Sequence, residues 1–265
     1  MKPKVSIIIL NWNGWKDTIE CLKSLYQIDY PNYEVIIVDN DSKDNSIKKI
    51  SKMINKKNTY IIKNKKNYGF AKGNNIAISQ ILKKRKSKYI LLLNNDVLVN
   101  KSFLSKLIEC MESNKEIAIS GPKIYFYDYK NQKNVINFAG GKINYLTGIV
   151  RHDGILKRDS LKYNQKKYTD YLEGSCMLIR SKIFNKIGLI DESYFTYWED
   201  VDFCVRVSRW GYKLLFCPDS YIWHKVSASN KSSNKEYYMV KNKLKFMSKY
   251  SGGLRFNLFL LFTVL

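Results

Sequence analysis

Residues 89–99 read YILLLNNDVLV, an apolar run that breaks into two amides and a carboxylate, Asn94, Asn95 and Asp96, and then resumes. Five apolar residues without alternation suit a strand buried on both faces, so the polar trio falls at its carboxyl end, where open parallel sheets bind ligands. A carboxylate at that edge of a basic chain suits a divalent cation and a phosphate. An ordinary strand-to-helix turn uses the same residue types, and this segment alone leaves both readings open. A second acidic cluster lies in residues 191–202, DESYFTYWEDVD, at what reads as the first turn of a helix, where the dipole favours negative charge. Capping accounts for one or two of those carboxylates. It does not account for Tyr194, Phe195, Tyr197 and Trp198 crowding before Glu199 and Asp200, which would wall a sugar-sized cleft and shield a carboxylate acting as a base. Residues 218–224, PDSYIWH, bring His224, one of only two histidines, to a strand end. A lone histidine is usually structural, but an imidazole folded back toward Asp96 completes an oxygen and nitrogen set suited to Mn2+ or Mg2+.

Three further segments sit where strand ends are expected. Asn11-Trp12-Asn13-Gly14 offers amides able to bond a base or ribose, and Gly14 permits close approach; N-x-N-G is also an ordinary turn. The stretch 38–44, VDNDSKD, puts Asp39 at a strand tip, able to accept from a base N–H, while Asp41 and Asp44 read as helix caps. In 67–75, NYGFAKGNN, Asn67, Gly69, Gly73 and Asn74 open a helix, so backbone N–H groups and Lys72 could approach a diphosphate. A glycine turn serving only chain geometry is the alternative there. Neither GxGxxG nor GxxxxGK[ST] follows any strand, which counts against a dinucleotide oxidoreductase and a P-loop NTPase.

The elements that must position these residues follow from periodicity. Strands are predicted at 5–10, 34–38, 59–62 and 89–93, alternating with helices at 15–26, 44–54, 71–82 and 102–111. Strict alternation argues an α/β fold with a parallel, doubly wound sheet, and right-handed crossovers make the order 3-2-1-4. The tips of the first and fourth strands then meet at a topological switch, with Asp39 one strand further out. From 117 to 171 the periodicity weakens and reads as irregular sheet and loops. Order returns with a strand at 172–179, helices at 181–187 and 200–210, short strands at 212–216 and 221–223, and a basic helix at 236–249. The organisation expected is a catalytic domain over 1–230, with a nucleotide-binding half to 120 and an acceptor-binding half beyond it. Residues 231–265 form a basic helix and apolar tail.

Composition bounds the rest. At 265 residues and 45% hydrophobic content the chain builds a substantial core. Its five cysteines are scattered without a C-x-x-C pair, which indicates neither a zinc cage nor a disulfide framework, so reduced thiols and a cytoplasmic setting are expected. The net charge of +23 invites a nucleic-acid partner, yet only 7 of the 46 basic residues are arginine, and the lysines are dispersed. No nucleic-acid partner is expected. The charge suits attraction to anionic lipid or to an anionic substrate. The amino terminus shows no signal peptide. Residues 254–265, LRFNLFLLFTVL, fall short of the ~20 needed to span a bilayer; an interfacial anchor and a helix packed on the domain are both open.

Together VSIIILNWNG, VIIVDNDSKDNS, NYGFAKGNN, YILLLNNDV, EGSCMLIR, the WEDVD segment and the final P-x-x-x-x-x-H resemble the family 2 inverting glycosyltransferases of GT-A fold, particularly the rhamnosyltransferase-like branch. The resemblance runs in order from about Val5 to Ser229. It implies a Rossmann-like, mostly parallel central sheet flanked by helices. It also implies transfer of a sugar from a nucleoside-diphosphate sugar to a glycan or lipid-linked acceptor hydroxyl, in cell-surface polysaccharide or glycoconjugate synthesis. Asp39 then resembles the base-recognising carboxylate, Asp96 the metal-binding aspartate of the D-x-D element, Asp200 the catalytic base and His224 the histidine near metal and diphosphate. Asn11, Asn13, Gly14, Asn67, Gly69, Lys72, Gly73, Asn74 and Asn95 are expected around the donor, and Glu199 beside the base. Asn94 replaces the first aspartate of D-x-D, so a Mg2+ or Mn2+ ion would lean on substrate phosphates. A nucleotidyltransferase on a similar sheet, or a basic nucleic-acid or membrane binding protein without enzymatic activity, are the rival readings.

Overall fold

The computed structural model describes residues 2–54, 58–84, 86–226 and 235–264. Arg85, the far end of the resemblance at Ser229 and the division between 230 and 231 lie outside the described residues. β1 (Val5–Asn11), α1 (Trp15–Leu25), β2 (Tyr33–Asp39), α2 (Ser46–Met53), β3 (Thr59–Lys63), α3 (Gly69–Lys84) and β4 (Tyr89–Asn94) alternate as the sequence predicts. The β-branched run of β1 is buried almost throughout, and α1 buries Thr18, Cys21, Leu22 and Leu25, one stripe at helical spacing. β1 lies between β2 and β4, parallel to both, and β2 pairs with β3, giving the 3-2-1-4 order. Register sets Asn11 beside Asp39 and Leu10 beside Asn94, which brings the three polar strand tips to one edge.

Beyond β4 the sheet is mixed rather than parallel. After β5 (Val97–Val99) and α4 (Phe103–Ser113) come β6 (Ile117–Phe126), β7 (Ile136–Phe138), β8 (Gly141–Asn144), β9 (Ile149–His152) and β10 (Lys167–Tyr168). They are followed by β11 (Cys176–Arg180), α5 (Ser181–Ile187), α6 (Glu199–Arg209) and β12 (Lys213–His224). β11 runs antiparallel to β4, β6 antiparallel to β11, and β12 parallel to β6, so one sheet crosses residue 120 and joins both halves.

Four local expectations are corrected. Residues 117–126 form a buried ten-residue strand inside the sheet, not irregular structure; Gly121, Pro122 and Lys123 hide its pattern, and Lys123 is neutralised by Asp159 at 2.8 Å. The two short strands expected at 212–223 are one, β12, interrupted where its register against β6 shifts between Cys217 and Tyr221. Cys110 on α4 and Cys217 on β12 form a disulfide across 107 residues, against the expectation of free thiols throughout, because α4 packs on β12. Of the two expected caps, Asp44 accepts from Ser46 N–H at 2.8 Å, whereas Asp41 pairs with Lys43 instead.

Two helices close the chain, α7 (Lys235–Tyr250) and α8 (Gly253–Val264). α8 buries Phe259 and leaves Leu254 and Leu261 exposed, so the tail both packs and presents apolar surface. Among the described residues no helix is long and apolar enough to cross a membrane.

Candidate active site

Hydrogen bonding links the strand tips. Asn11 donates from Nδ2 to Asp39 Oδ1 (2.8 Å) and Ser42 Oγ (3.0 Å), while Thr18 Oγ1 donates to Asn11 Oδ1 (2.7 Å). Asp39, 1% exposed, also accepts from the Ser42 hydroxyl and backbone N–H. Its first task is therefore to hold the β2 tip against β1. Asn13, at φ 51°, accepts from Lys43 N–H at 2.7 Å and pins the same loop. From the β4 side, Asn95 donates to Gly14 O (3.3 Å) and Thr18 Oγ1 (3.1 Å). A Cβ on Gly14 would come within 2.7 Å of that amide, which explains the glycine.

The glycine-rich start of α3 packs on its surroundings. Asn67 accepts from Gly69 N–H (2.9 Å) and from Asn40 Nδ2 (3.1 Å). Gly69, at φ +75°, lies against the Phe195 backbone and ring, and Phe70 N–H donates to Phe195 O at 2.7 Å. A Cβ on Gly73 would meet Leu10 at 2.6 Å. Asn74 donates to Phe70 O at 2.9 Å, and Lys72 pairs with Glu192 at 3.1 Å. This segment thus docks on the 190–200 stretch that leads to Asp200.

A chain of ionisable groups runs from Asp96 to Asp200. His224, at the end of β12, sets Nε2 3.1 Å from Asp96 Oδ1 and Nδ1 3.2 Å from Glu173 Oε1, the second contact lying off the hydrogen-bonding axis. Burial works to lower the His224 pKa, but Asp96 first and then Glu173 override it and push it up to about 10. Burial alone would raise the Glu173 carboxyl; His224, with His152 beyond it, holds it below its ordinary value. The residue after Glu173 carries the chain onward, since Gly174 N–H donates to Asp200 Oδ2 at 2.8 Å. Val201 N–H donates to Asp200 Oδ1, also at 2.8 Å.

Asp200 and Glu199 divide their roles by surroundings. Burial raises both carboxyls; the Asp200 charge raises Glu199 further, while the charge that opposes Asp200 is that of Glu173. Two backbone N–H groups favour the Asp200 anion, whereas Glu199 is 6% exposed and its Oε2 has no donor. Asp200 is therefore the ionised member and Glu199 its neutral partner, too buried to meet an acceptor. The turn into α6 is strained: Tyr197 and Trp198 stand at φ 66° and 74°. Left-handed backbone costs a bulky residue about 1–3 kcal/mol, which surrounding contacts must hold.

Glu173, His152 and Gly174 escape the sequence reading as site residues. The EGSCMLIR segment contains two of them, and His152 is the chain's other histidine; neither signal says that His152 on β9 comes beside Glu173 on the approach to β11, or that Glu173 reaches His224.

A parallel half-sheet with polar tips, extended by a mixed half that carries Asp200 and His224, is a GT-A architecture. GalNAc-T7, solved with UDP, GalNAc and Mn2+, shares it at TM-score 0.72 and 17% identity over 93% of this chain and 48% of its own. So does the mannosyltransferase PcManGT of Pyrobaculum calidifontis, solved with GDP-Man and Mn2+, at TM-score 0.69 and 13% identity over 98% and 68%. Residues 6–188 match the family described as glycosyl transferase family 2, and the chain belongs to that family. The low-salt glycan biosynthesis hexosyltransferase Agl10 of Haloferax volcanii is 29% identical over 79% of this chain, which spans 63% of that relative's length. Rhamnosyltransferase WbbL of Escherichia coli is 29% identical over 86% of each chain.

Proposed function

We propose that this protein transfers a sugar from a nucleoside-diphosphate sugar to an acceptor hydroxyl with inversion at the anomeric carbon, in the synthesis of a surface polysaccharide or glycoconjugate. The observation that supports this reading is the line of contacts from Asp96 to His224 and on to Glu173, with the N–H of the next residue, Gly174, bonded to Asp200. Asp200, held by the Gly174 and Val201 N–H groups, takes the acceptor hydroxyl's proton as that oxygen attacks the anomeric carbon from the face opposite the leaving group. Displacement in one step needs no covalent sugar-enzyme intermediate. Glu199 stays neutral and keeps the charge on Asp200. At the other end, the ordered tips carrying Asn11, Asp39 and Asn95 receive the nucleoside.

The donor set fits a divalent cation shared with the diphosphate. Asp96 offers a hard carboxylate oxygen, and His224 Nε2, 3.1 Å away, joins it as a ligand only on giving up the proton that Asp96 and Glu173 hold on the imidazole, so cation and proton compete there. Among the described residues no group of three or more His, Cys, Asp and Glu could hold an ion, so phosphate oxygens must supply the remaining positions. When bound, the cation neutralises charge on the departing diphosphate.

The acceptor is a glycan or a lipid-linked sugar. Support for peripheral contact with anionic lipid comes from the lysines of α7 and the exposed Leu254, Leu258 and Leu261 of α8.

A thermal-shift comparison of UDP, GDP and dTDP and their sugars, with Mn2+ or Mg2+, tests donor and metal together. The matching nucleotide at a hundred times its Kd adds about 2.7 kcal/mol, hence a rise of roughly 5–10 °C, and EDTA removes most of it. Stabilisation that survives EDTA would show that Asp96 and His224 act without a cation.

A further inference from the structure

Helix α7 lies beyond the division drawn from sequence, in what reads there as a basic tail, yet one of its faces is built into the base's own turn. Asn242, 1% exposed, donates both Nδ2 hydrogens to successive backbone carbonyls, Thr196 O at 2.8 Å and Tyr197 O at 2.9 Å. These are the carbonyls just before and within the left-handed pair at 197 and 198 that starts α6. The same face of α7 grips both sides of the turn. Tyr238, one turn earlier, stacks on Phe195 with ring centres 5.3 Å apart, and Phe246, one turn later, packs on Trp198 at 5.1 Å. Further along, Lys249 Nζ and Tyr250 Oη donate to the buried Asp202 at 2.7 and 2.8 Å. Spacings of three and four residues put these contacts on one helix face.

Resting on the sugar-transfer reading above, we infer that Asn242 is a positioning residue for the reaction, whose paired amide bonds hold the strained 196–198 turn and thereby fix where the Asp200 carboxylate stands. Bulky residues leave the left-handed region unless something holds them there. Asn242 supplies the specific part of that restraint, because two carbonyls turned out of any ladder need two donors from one direction. A buried amide spent entirely on two backbone oxygens otherwise has little reason to occupy a helix face whose other contacts are mostly apolar, aromatic or ionic. Asp39 bonds to Asn11 and Ser42, and His224 stands between Asp96 and Glu173; these contacts do not involve the 196–198 turn and outlast its release. The inference therefore separates two quantities that a general loosening of the fold would move together: the rate of transfer and the binding of donor.

The test uses Asn242→Ala, which deletes both donors, and Asn242→Asp, which keeps the shape and offers the carbonyls a carboxylate instead. Both are measured beside the unaltered chain and Asp200→Asn for kcat and for donor KM, with nucleotide Kd taken separately by thermal shift. Misplacement of the base by about an ångström predicts a fall in kcat of roughly 10- to 100-fold in both variants, with donor KM and nucleotide Kd essentially unmoved. Asn242→Ser, which retains one hydroxyl donor, should recover part of the rate. A normal kcat in folded Asn242→Asp overturns the inference; so does an equal loss of kcat and donor binding, or failure of all three variants to fold, either of which makes Asn242 a scaffold residue. Full activity in Asp200→Asn would instead overturn the assignment of the base, and absence of transfer by the unaltered chain would overturn the sugar-transfer reading itself.

Discussion

Asp200→Asn lowers kcat by about 10²-fold or more, the usual worth of a positioned general base, while nucleotide binding is kept. The amide has nearly the carboxylate's shape and its oxygen can still accept from Gly174 or Val201 N–H, so the α6 start stays in place. What it cannot do is take a proton from the acceptor hydroxyl. The pH profile supplies the control. Burial and the Glu173 charge raise the Asp200 carboxyl above its ordinary value, although the two backbone N–H groups work against the shift. A base must be deprotonated to act, so activity is full above that raised pKa and is lost as pH falls through it. The acid limb of kcat therefore lies above the usual aspartate range of about 3.9, and in Asp200→Asn the residual rate loses that limb. Steady-state rates from pH 4 to pH 9 check both points; an asparagine variant with near-normal turnover, or with the acid limb intact, would move the base elsewhere.

Gly69→Ala has the largest expected effect on stability. The position sits at φ +75° and its Cβ direction is filled by the Phe195 backbone and ring. Left-handed backbone costs alanine about 1–2 kcal/mol, and forcing the added methyl into a packed contact costs about 1–3 kcal/mol more. At roughly 2–4 °C per kcal/mol for a chain near this size, the melting temperature drops by about 5–15 °C. Because the displaced neighbour is Phe195, the change also reaches the turn at 196–198, and kcat falls with stability. Gly252→Ala isolates the backbone part, since Gly252 has the same φ of +75° with nothing within 4 Å of its Cβ position. Calorimetry of the two variants decides: equal, small losses would mean that the Phe195 contact yields at no cost.

Much of the site is readable from the chain because it lies on the half of the fold with local rules. Strand, turn and helix follow one another there within about thirty residues, so a run such as YILLLNND names both its strand and its tip. The second half obeys non-local pairing. β6 looks irregular because Pro122 and Lys123 interrupt an apolar strand, and Lys123 is tolerated through Asp159 and Asn164, 36 and 41 residues on. Glu173 reaches His224, and His152 reaches Glu173, from separate segments, and no spacing rule connects them. Asn242 reads with the tail because a single asparagine among lysines carries no helix-face signal; its role depends on two backbone carbonyls 45 and 46 residues away. The aromatic crowd before Asp200 reads in sequence as the wall of a cleft. In the structure Tyr194 and Trp198 are buried, and they anchor the turn as much as they line anything.

The central claim is transfer of a sugar with inversion, and it is tested most directly by characterising the products formed from the donor that stabilises the protein. Incubation with that nucleotide sugar, its metal and a glycan or lipid-linked acceptor should release a nucleoside diphosphate in step with each new glycosidic bond. The proton coupling at the anomeric centre of the product should show the configuration opposite to the donor's. Release of pyrophosphate from a nucleoside triphosphate, or a product with the donor's own anomeric configuration, would contradict the account.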